Sequence, residues 1–264
     1  MKRYFLVLLY AATFQFAHSQ VSAHFPIICV FHHSGMGFDS DSIDYYDPAF
    51  PFIWTGNTKV CDGIFGGRHD DFHTRKGFMK QFEVGFTFFQ INQNLYKGIA
   101  GISYAFQLVI HNISLDHHYM PHRTGNSLEF EYVDNALKKN NIEFATLRIP
   151  VLTGIQTRNR YFSFQTGFSF EYRADRTHNF QVQGEEEDDH HIHIPFLGVN
   201  WHVMANVGAF TIAFNQSLIP IFQVSNGRKA YTRSLTLGYN ICFNHSFKNS
   251  RAIAKRRKAA ERLF

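Results

Sequence analysis

The sequence has little cysteine, no long apolar run beyond its N-terminus and none of the short motifs that indicate nucleotide binding or thiol redox activity. Only three of its 264 residues are cysteine. No glycine-rich phosphate loop or C-x-x-C pair occurs, which removes the motif evidence for nucleotide binding and thiol redox chemistry. Past the N-terminus, no stretch approaches the roughly 18 apolar residues that a membrane-spanning helix requires. Past the N-terminus, the sequence therefore offers no candidate for a membrane-spanning helix; the N-terminal run itself is short for a membrane anchor, which stays the less favoured alternative to a signal peptide.

An odd number of cysteines leaves at least one thiol unpaired in an exported chain. Cys29 and Cys61 both precede the clear strand patterns, and two outcomes stay open for them, a disulfide or two free thiols. Cys242 lies in a strand pattern, where we expect a free, inward-facing thiol.

The N-terminus predicts export. Lys2 and Arg3 precede an apolar run, and Ala17 and Ser19 supply the small residues of a cleavage site. We expect residues 1–19 to be a signal peptide. Residues 20–77 follow as a segment with no clear pattern.

The net charge of +5 belongs to the ends of the chain. Residues 248–264 carry seven Lys/Arg and one Glu, the signal segment carries two more cations, and the remainder is near −3. The basic tail, residues 248–264, is either a solvated extension or an amphipathic helix for an anionic surface or a periplasmic partner. After export, nucleic acid is no plausible partner.

Aromatic residues are abundant and alternate with small polar ones. The chain has 30 Phe and 12 Tyr, yet its mean hydropathy is only −0.22. In residues 161–173, one face carries Phe162, Phe164, Phe168, Phe170 and Tyr172, and the other carries Ser, Gln, Gly, Glu and Arg. Period-two alternation predicts β-strands. Similar patterns occupy residues 79–91, 101–111, 142–155, 197–204, 206–218 and 233–243.

The polar faces hold Gly, Ser, Thr, Asn and Gln, with few charges. In a soluble β-barrel, the large apolar side chains would point inward and the outer face would carry Lys, Glu and Asp. Small polar residues instead suit a crowded barrel interior, with the aromatic residues against lipid. The pattern favours a transmembrane barrel over a soluble one, which remains the alternative.

The connections alternate in length. Short links fall at about 92–95, 156–160 and 205–206, and long polar links at 113–140 and 174–191, with a shorter one near 224–230. Short periplasmic turns and long external loops are typical of outer-membrane barrels. Seven strands are visible, and an even count requires one more, which we place within 50–65. Together with that upstream strand, residues 78–247 then form an antiparallel barrel of about eight strands.

The final strand ends in a polar-x-Gly-x-x-apolar-x-apolar pattern at Thr236, Gly238, Ile241 and Phe243. This resembles the signal that outer-membrane barrels present to the barrel assembly machinery. With residues 147–156, 162–173 and 214–243, the chain resembles the small outer-membrane β-barrel family of Bacteroidetes. The resemblance covers about 78–243 and implies location in the outer membrane, lipid and the assembly machinery as partners, and no catalytic residues. It departs from the pattern because about twenty residues follow Phe243.

Histidines and carboxylates cluster at 185–193. His190, His191 and His193 follow five consecutive acidic residues, and imidazole and carboxylate are competent ligands for zinc, copper or nickel. A specific metal site needs fixed geometry, whereas this cluster lies in an expected external loop. A second group, His117, His118 and His122, lies in another such loop. We expect solvated loops, with weak cation binding as the alternative, and no cofactor.

No spacing of polar strand residues selects a catalytic set. Ser217, His202, Glu171 and Glu143 are the candidates for a membrane-embedded hydrolase, but a nucleophile must be matched to a base. Inward Glu171 and Arg173 more plausibly pair with other lumen charges. We therefore expect a non-enzymatic outer-membrane protein that supports external loops, a partner or the envelope. The alternatives are a narrow pore or accessory barrel of a transport machine.

Overall fold

The computed structural model describes residues 21–24, 46, 48, 50–75, 77, 80–125, 127–158, 160–182, 185–189, 194–224 and 227–240. Within these ranges every regular element is a β-strand, as the alternating sequence predicts. No helix among these residues is long and apolar enough to cross a membrane.

The strands vary widely in length, because some belong only to the barrel wall and others continue beyond it. In chain order they are β1 (Val21–His24), β2 (Ile53–Asp62), β3 (Gln81–Tyr96), β4 (Ala100–Ser114), β5 (Tyr119–Thr124), β6 (Ser127–Tyr132), β7 (Lys139–Gln156), β8 (Phe162–Val182), β9 (Glu185–Asp189), β10 (Leu197–Val207), β11 (Phe210–Ser217), β12 (Phe222–Gln223) and β13 (Lys229–Tyr239).

Eight antiparallel strands close into a ring. The order around the wall is β2, β3, β4, β7, β8, β10, β11 and β13, and pairing of β13 with β2 completes the circle. The eight-stranded, all-β architecture predicted from the sequence is thereby confirmed. The strand needed upstream of residue 78 is β2, which lies inside the 50–65 segment.

Five further strands of the described residues extend or cover the wall. Strand β1 pairs with the part of β3 that β2 does not reach, and β12 pairs with β13. Strands β5 and β6 form a separate hairpin within the β4–β7 connection. Strand β9 pairs with the end of β8, so much of the predicted 174–191 loop is strand instead.

One end of the barrel has short turns and the other has long connections. The turns lie at 97–99, 157–161 and 208–209, whereas two of the three links were predicted three residues or more too early, at 92–95 and 205–206. Backbone conformation explains why the turns lie at these later positions. Gly98 and Gly208 adopt positive φ values of 67° and 62°, which glycine tolerates without steric cost, and Lys97 precedes Gly98 at φ 43°.

The wall is polar inside and apolar outside. Along β8, Ser163, Gln165 and Ser169 are buried, while Phe168 and Phe170 are each 52% exposed. The same inversion holds for β13, where Ser234 and Thr236 are buried between exposed leucines. The predicted assignment of faces is correct.

A segment preceding β2 fills the turn end of the lumen. Tyr46 and Phe50 are fully buried, and Phe50 packs with Ala105, Leu152, Met204 and Ala213. The Gln90 side chain donates to the Pro48 carbonyl at 2.6 Å and accepts from the Phe50 amide at 3.3 Å. These contacts fix the segment inside the wall.

An apolar cluster fills the loop end. It combines wall residues with residues from the long connections: Val60, Phe72, Ile113, Leu115, Leu128, Ile142, Phe144, Ile194, Ile221, Phe222, Val224 and Ala230. Phe72 lies at its centre, with ring centroids 5.1 Å from Phe130 and 5.0 Å from Phe222. The barrel interior is thus enclosed between two apolar layers.

Candidate functional site

Charged side chains from three strands meet in the middle of the barrel. Arg148 of β7 donates through Nη1 to Glu83 Oε1 of β3 at 3.2 Å and through Nε to Glu171 Oε1 of β8 at 2.9 Å. All three residues are at most 4% exposed. Because a buried charge is costly unless it is paired and hydrogen-bonded, this arrangement satisfies each charge with the other two.

Glu171 is the most heavily contacted member. Its Oε2 accepts from Arg173 Nη2 at 3.1 Å, and its Oε1 also accepts from Asn200 Nδ2 at 2.6 Å. Arg173 itself donates to the Pro195 carbonyl at 3.3 Å. Gly198 makes room for this guanidinium, because a Cβ there would lie 2.2 Å from Arg173 Nη2. The predicted pairing of Glu171 and Arg173 with lumen charges is confirmed.

Two histidines accompany the charges. His111 Nδ1 lies 3.7 Å from Glu83 Oε2, and the His111 ring stacks on Phe144 with centroids 4.5 Å apart. His202 is also buried, on β10. With two carboxylates and two guanidiniums, the network is balanced in charge while these imidazoles are neutral.

A cavity of about one water molecule adjoins the network. Glu83, His111, Arg148, Glu171 and Asn200 line it, together with small polar residues of β2, β11 and β13. Its walls can hold a hydrogen-bonded water. Its size leaves no room for an organic substrate.

A second polar cluster lies at the loop end, around Asp62 at the end of β2 and the connections beyond it. The Arg228 guanidinium joins two carboxylates, with Nη1 2.7 Å from Asp71 Oδ2 and Nη2 in contact with Asp62. His69 is fully buried beside them. Burial lowers the pKa of His69, although Asp62 and Asp71 partly oppose that effect.

His73 extends this cluster towards the β5–β6 hairpin. Its ring stacks on Tyr119 with centroids 3.6 Å apart and planes within 3°. Burial lowers the pKa of His73, while Asp116 and Asp71 act in the opposite direction. Both loop histidines are therefore biased towards the neutral imidazole.

The predicted metal candidates are not tested by the structure. His190, His191 and His193 lie outside the described residues, and the described residues contain no group of three His, Cys, Asp or Glu side chains placed to hold a metal ion. Of the second group, His118 stacks on Tyr132 and His122 Nε2 lies 3.4 Å from Glu129 Oε2.

The hydrolase candidates are dispersed. Ser217 donates its hydroxyl to the Ile219 carbonyl, Glu171 belongs to the charged network, and Glu143 on β7 accepts from Asn112 at 3.0 Å. Among the described residues, no hydrogen bond joins Ser217 to His202. The four residues therefore do not form a nucleophile–base pair.

Other predicted residues have mixed outcomes. Thr236 and Gly238 lie on β13, while Ile241 and Phe243 lie outside the described residues, so the assembly signal stays a prediction. Cys61 has a free, buried thiol, and neither Cys29 nor Cys242 is described.

Sequence reasoning missed Glu83 and Arg148. A signal was present: each is the only charged residue at the inward positions of its strand. Opposite charges at inward positions of different strands point to a buried pair. Their distance in sequence, 65 residues, hides which two meet.

Comparisons with known proteins add little. No protein-family model matches the chain, and no curated protein matches it. Among solved structures, the chain is similar to the crystal structure of Ail, the attachment invasion locus protein of Yersinia pestis, in complex with the heparin analogue sucrose octasulfate. The two are 10% identical over 71% of this chain and 95% of that one, with a TM-score of 0.32. The barrel assignment rests on the strand pairing of this chain itself.

Proposed function

We propose that this chain is an integral outer-membrane β-barrel protein without enzymatic activity. The observation that carries the proposal is that the barrel wall is apolar on its outside and polar on its inside. Outward positions of the strands carry exposed Phe, Tyr, Leu and Ile, and inward positions carry buried Ser, Thr, Asn, Gln and paired charges. Water penalises such a surface, whereas a lipid bilayer requires it. Export through residues 1–19 and insertion by the barrel assembly machinery belong to the same proposal.

In this proposal, the functional surface of the molecule is its long-loop end. The barrel supplies a rigid base, because the lumen is filled by the charged network between two apolar layers. The β5–β6 hairpin, the extended β8–β9 pair and the 63–75 connection stand on that base and offer a surface to an external partner or to neighbouring envelope components. The basic tail at 248–264 would face a periplasmic partner.

The filled lumen favours this function over a narrow pore. The charged network occupies the middle of the barrel, Phe50 and its neighbours occupy the turn end, and the Phe72 cluster occupies the loop end. An eight-stranded barrel has an interior just wide enough for side chains to fill. Ion flow would require all three of these layers to open.

Planar-bilayer recording tests the proposal. The purified chain, folded in detergent, should migrate at different positions on a gel before and after heating, as detergent-resistant barrels do. The same fraction should give no discrete conductance steps in a bilayer where a porin gives them. Uniform steps from the heat-modifiable fraction would establish a pore, and folding without detergent into a soluble species would refute the membrane assignment.

A further inference from the structure

Two cations face each other on the outside of the wall. Lys59 of β2 and Arg233 of β13 are directly opposed in the antiparallel register. Both occupy outward positions, since the alternate residues Thr58, Val60, Ser234 and Thr232 face the lumen side. Like charges directly across two strands destabilise a sheet. Such a pair requires compensation.

Among the described residues, no carboxylate supplies that compensation. Arg233 donates to three neutral acceptors, Gln216 Oε1 at 2.7 Å and the carbonyls of Ile64 and Gly66 at 3.2 Å and 3.3 Å. The nearby carboxylates of Asp62 and Asp71 are bound by Arg228. Among the described residues, each ion pair involves side chains other than Lys59 and Arg233.

The tip of the 63–75 connection, residues 63–66, lies next to this pair. Arg233 reaches the carbonyls on both sides of Phe65, so the tip lies against the outer wall. Phe65 is 77% exposed. The tip is tight, because a Cβ on Gly66 would lie 1.4 Å from the Asp62 carbonyl oxygen. An exposed phenylalanine thus lies between the two carbonyl groups that Arg233 binds.

The apolar belt begins directly next to the cations. Leu235, two residues from Arg233 on the same face of β13, is 57% exposed, and Leu237 is 60% exposed. Moving from the turn end towards the loop end, this part of the wall changes from leucine to Lys59 and Arg233. A phosphate-bearing lipid has the matching order, acyl chains followed by an anion.

We propose that Lys59 and Arg233 bind the phosphate of a lipid headgroup in the leaflet on the long-loop side, with Phe65 and Leu235 against its apolar part. The site rests on the proposed membrane function. Lys59 contributes an exposed ammonium. Arg233 contributes Nη1, because its Nε donates to Gln216 and its Nη2 donates to the carbonyls of Ile64 and Gly66. Charge-assisted hydrogen bonds to phosphate offset the repulsion within the pair.

Native mass spectrometry of the folded full-length chain in detergent tests the site, with phosphatidylglycerol as the probe. Removing one cation near a lipid surface should weaken anionic lipid binding about fivefold. Lys59→Gln should therefore bind the probe about fivefold more weakly, and adding Arg233→Gln should weaken it further. Lys97→Gln is the matched control, since Lys97 lies at the turn end, and it should bind like the wild type.

Three outcomes separate the alternatives. Equal phosphatidylglycerol binding by Lys59→Gln, Lys97→Gln and the wild type would overturn the site. Displacement of the lipid by millimolar inorganic phosphate would show that soluble phosphate is the ligand and would overturn the lipid assignment. Heat-modifiable migration is measured on the same samples: its absence counts against the membrane barrel itself, whereas its presence with unchanged binding counts against this site alone.

Discussion

Arg148 joins carboxylates from two strands inside the barrel and is 2% exposed. The Arg148→Met variant would leave Glu83 and Glu171 close together with one guanidinium fewer. Removing one partner of a buried ion pair costs about 3–5 kcal/mol, because the remaining charge stays buried. We expect the free energy of unfolding to fall by that amount, measured by urea titration of the folded barrel in lipid vesicles.

Arg158→Met provides the comparison, since Arg158 is exposed in the β7–β8 turn and should tolerate the change. Combining Arg148→Met with Glu83→Gln and Glu171→Gln should recover part of the loss. Equal stability of Arg148→Met and Arg158→Met would mean that water, not Arg148, balances the two carboxylates.

For single residues, the sequence predicts which face of the wall a side chain lies on better than which residue it contacts. Alternation places Glu171 and Arg173 on the inward face, and both lie there. Alternation says nothing of which strands face each other across a lumen, so Glu83 could not be matched to Arg148. The Lys59–Arg233 pair was equally hidden, because it depends on the register between the first and last wall strands.

Among the elements, strand interiors were easier to predict than strand ends. The apolar alternation of β3 fades after Ile91, where Asn92, Gln93 and Asn94 were interpreted as a turn. Strand β3 instead continues to Tyr96, with its pairing to β4 interrupted by irregularities. Polar residues can occupy the wall there because the segment preceding β2, which lies inside the lumen, supplies partners such as the Pro48 carbonyl for Gln90. That segment has no periodic signature, so the sequence could not reveal it.

The 63–75 connection should respond to pH through His69. Its folded-state pKa lies below the ordinary value of 6.5 because burial disfavours the imidazolium, and Asp62, Asp70, Asp71 and Arg228 face it. The unfolded connection therefore binds the proton more readily. His69 contributes full stability above pH 6.5, and that contribution is lost as pH falls below 6.5 towards the folded pKa.

Hydrogen exchange measures this effect. Amides near Phe72 should lose protection between about pH 7.5 and about pH 5, after correction for intrinsic rates. His69→Gln, neutral at both values, should show a smaller change, and His73 should account for the remainder because its pKa is lowered too. An equal loss of protection in wild type and His69→Gln would assign the response to other groups.

For the whole molecule, the decisive property is which side of the wall is apolar. Residue types alone permit a soluble barrel with aromatic residues inside or a membrane barrel with them outside. The nature of the opposite face, small and polar rather than charged, decided between them, and the wall follows that assignment. A lipid environment makes the cost of a new outward charge depend on its depth, whereas water would not.

Phe168 and Leu197 test that dependence. Phe168 lies midway along the apolar outward row of β8, opposite Trp201, and Leu197 begins β10 near the loop end. Phe168→Arg should lower the free energy of unfolding in lipid vesicles by about 2–4 kcal/mol, and Leu197→Arg by about 0–1 kcal/mol. Both positions are more than half exposed, at 52% and 67%, so in water neither change would cost much. Equal, small losses at both depths would contradict a bilayer around the wall, and a large loss confined to Phe168 would support it.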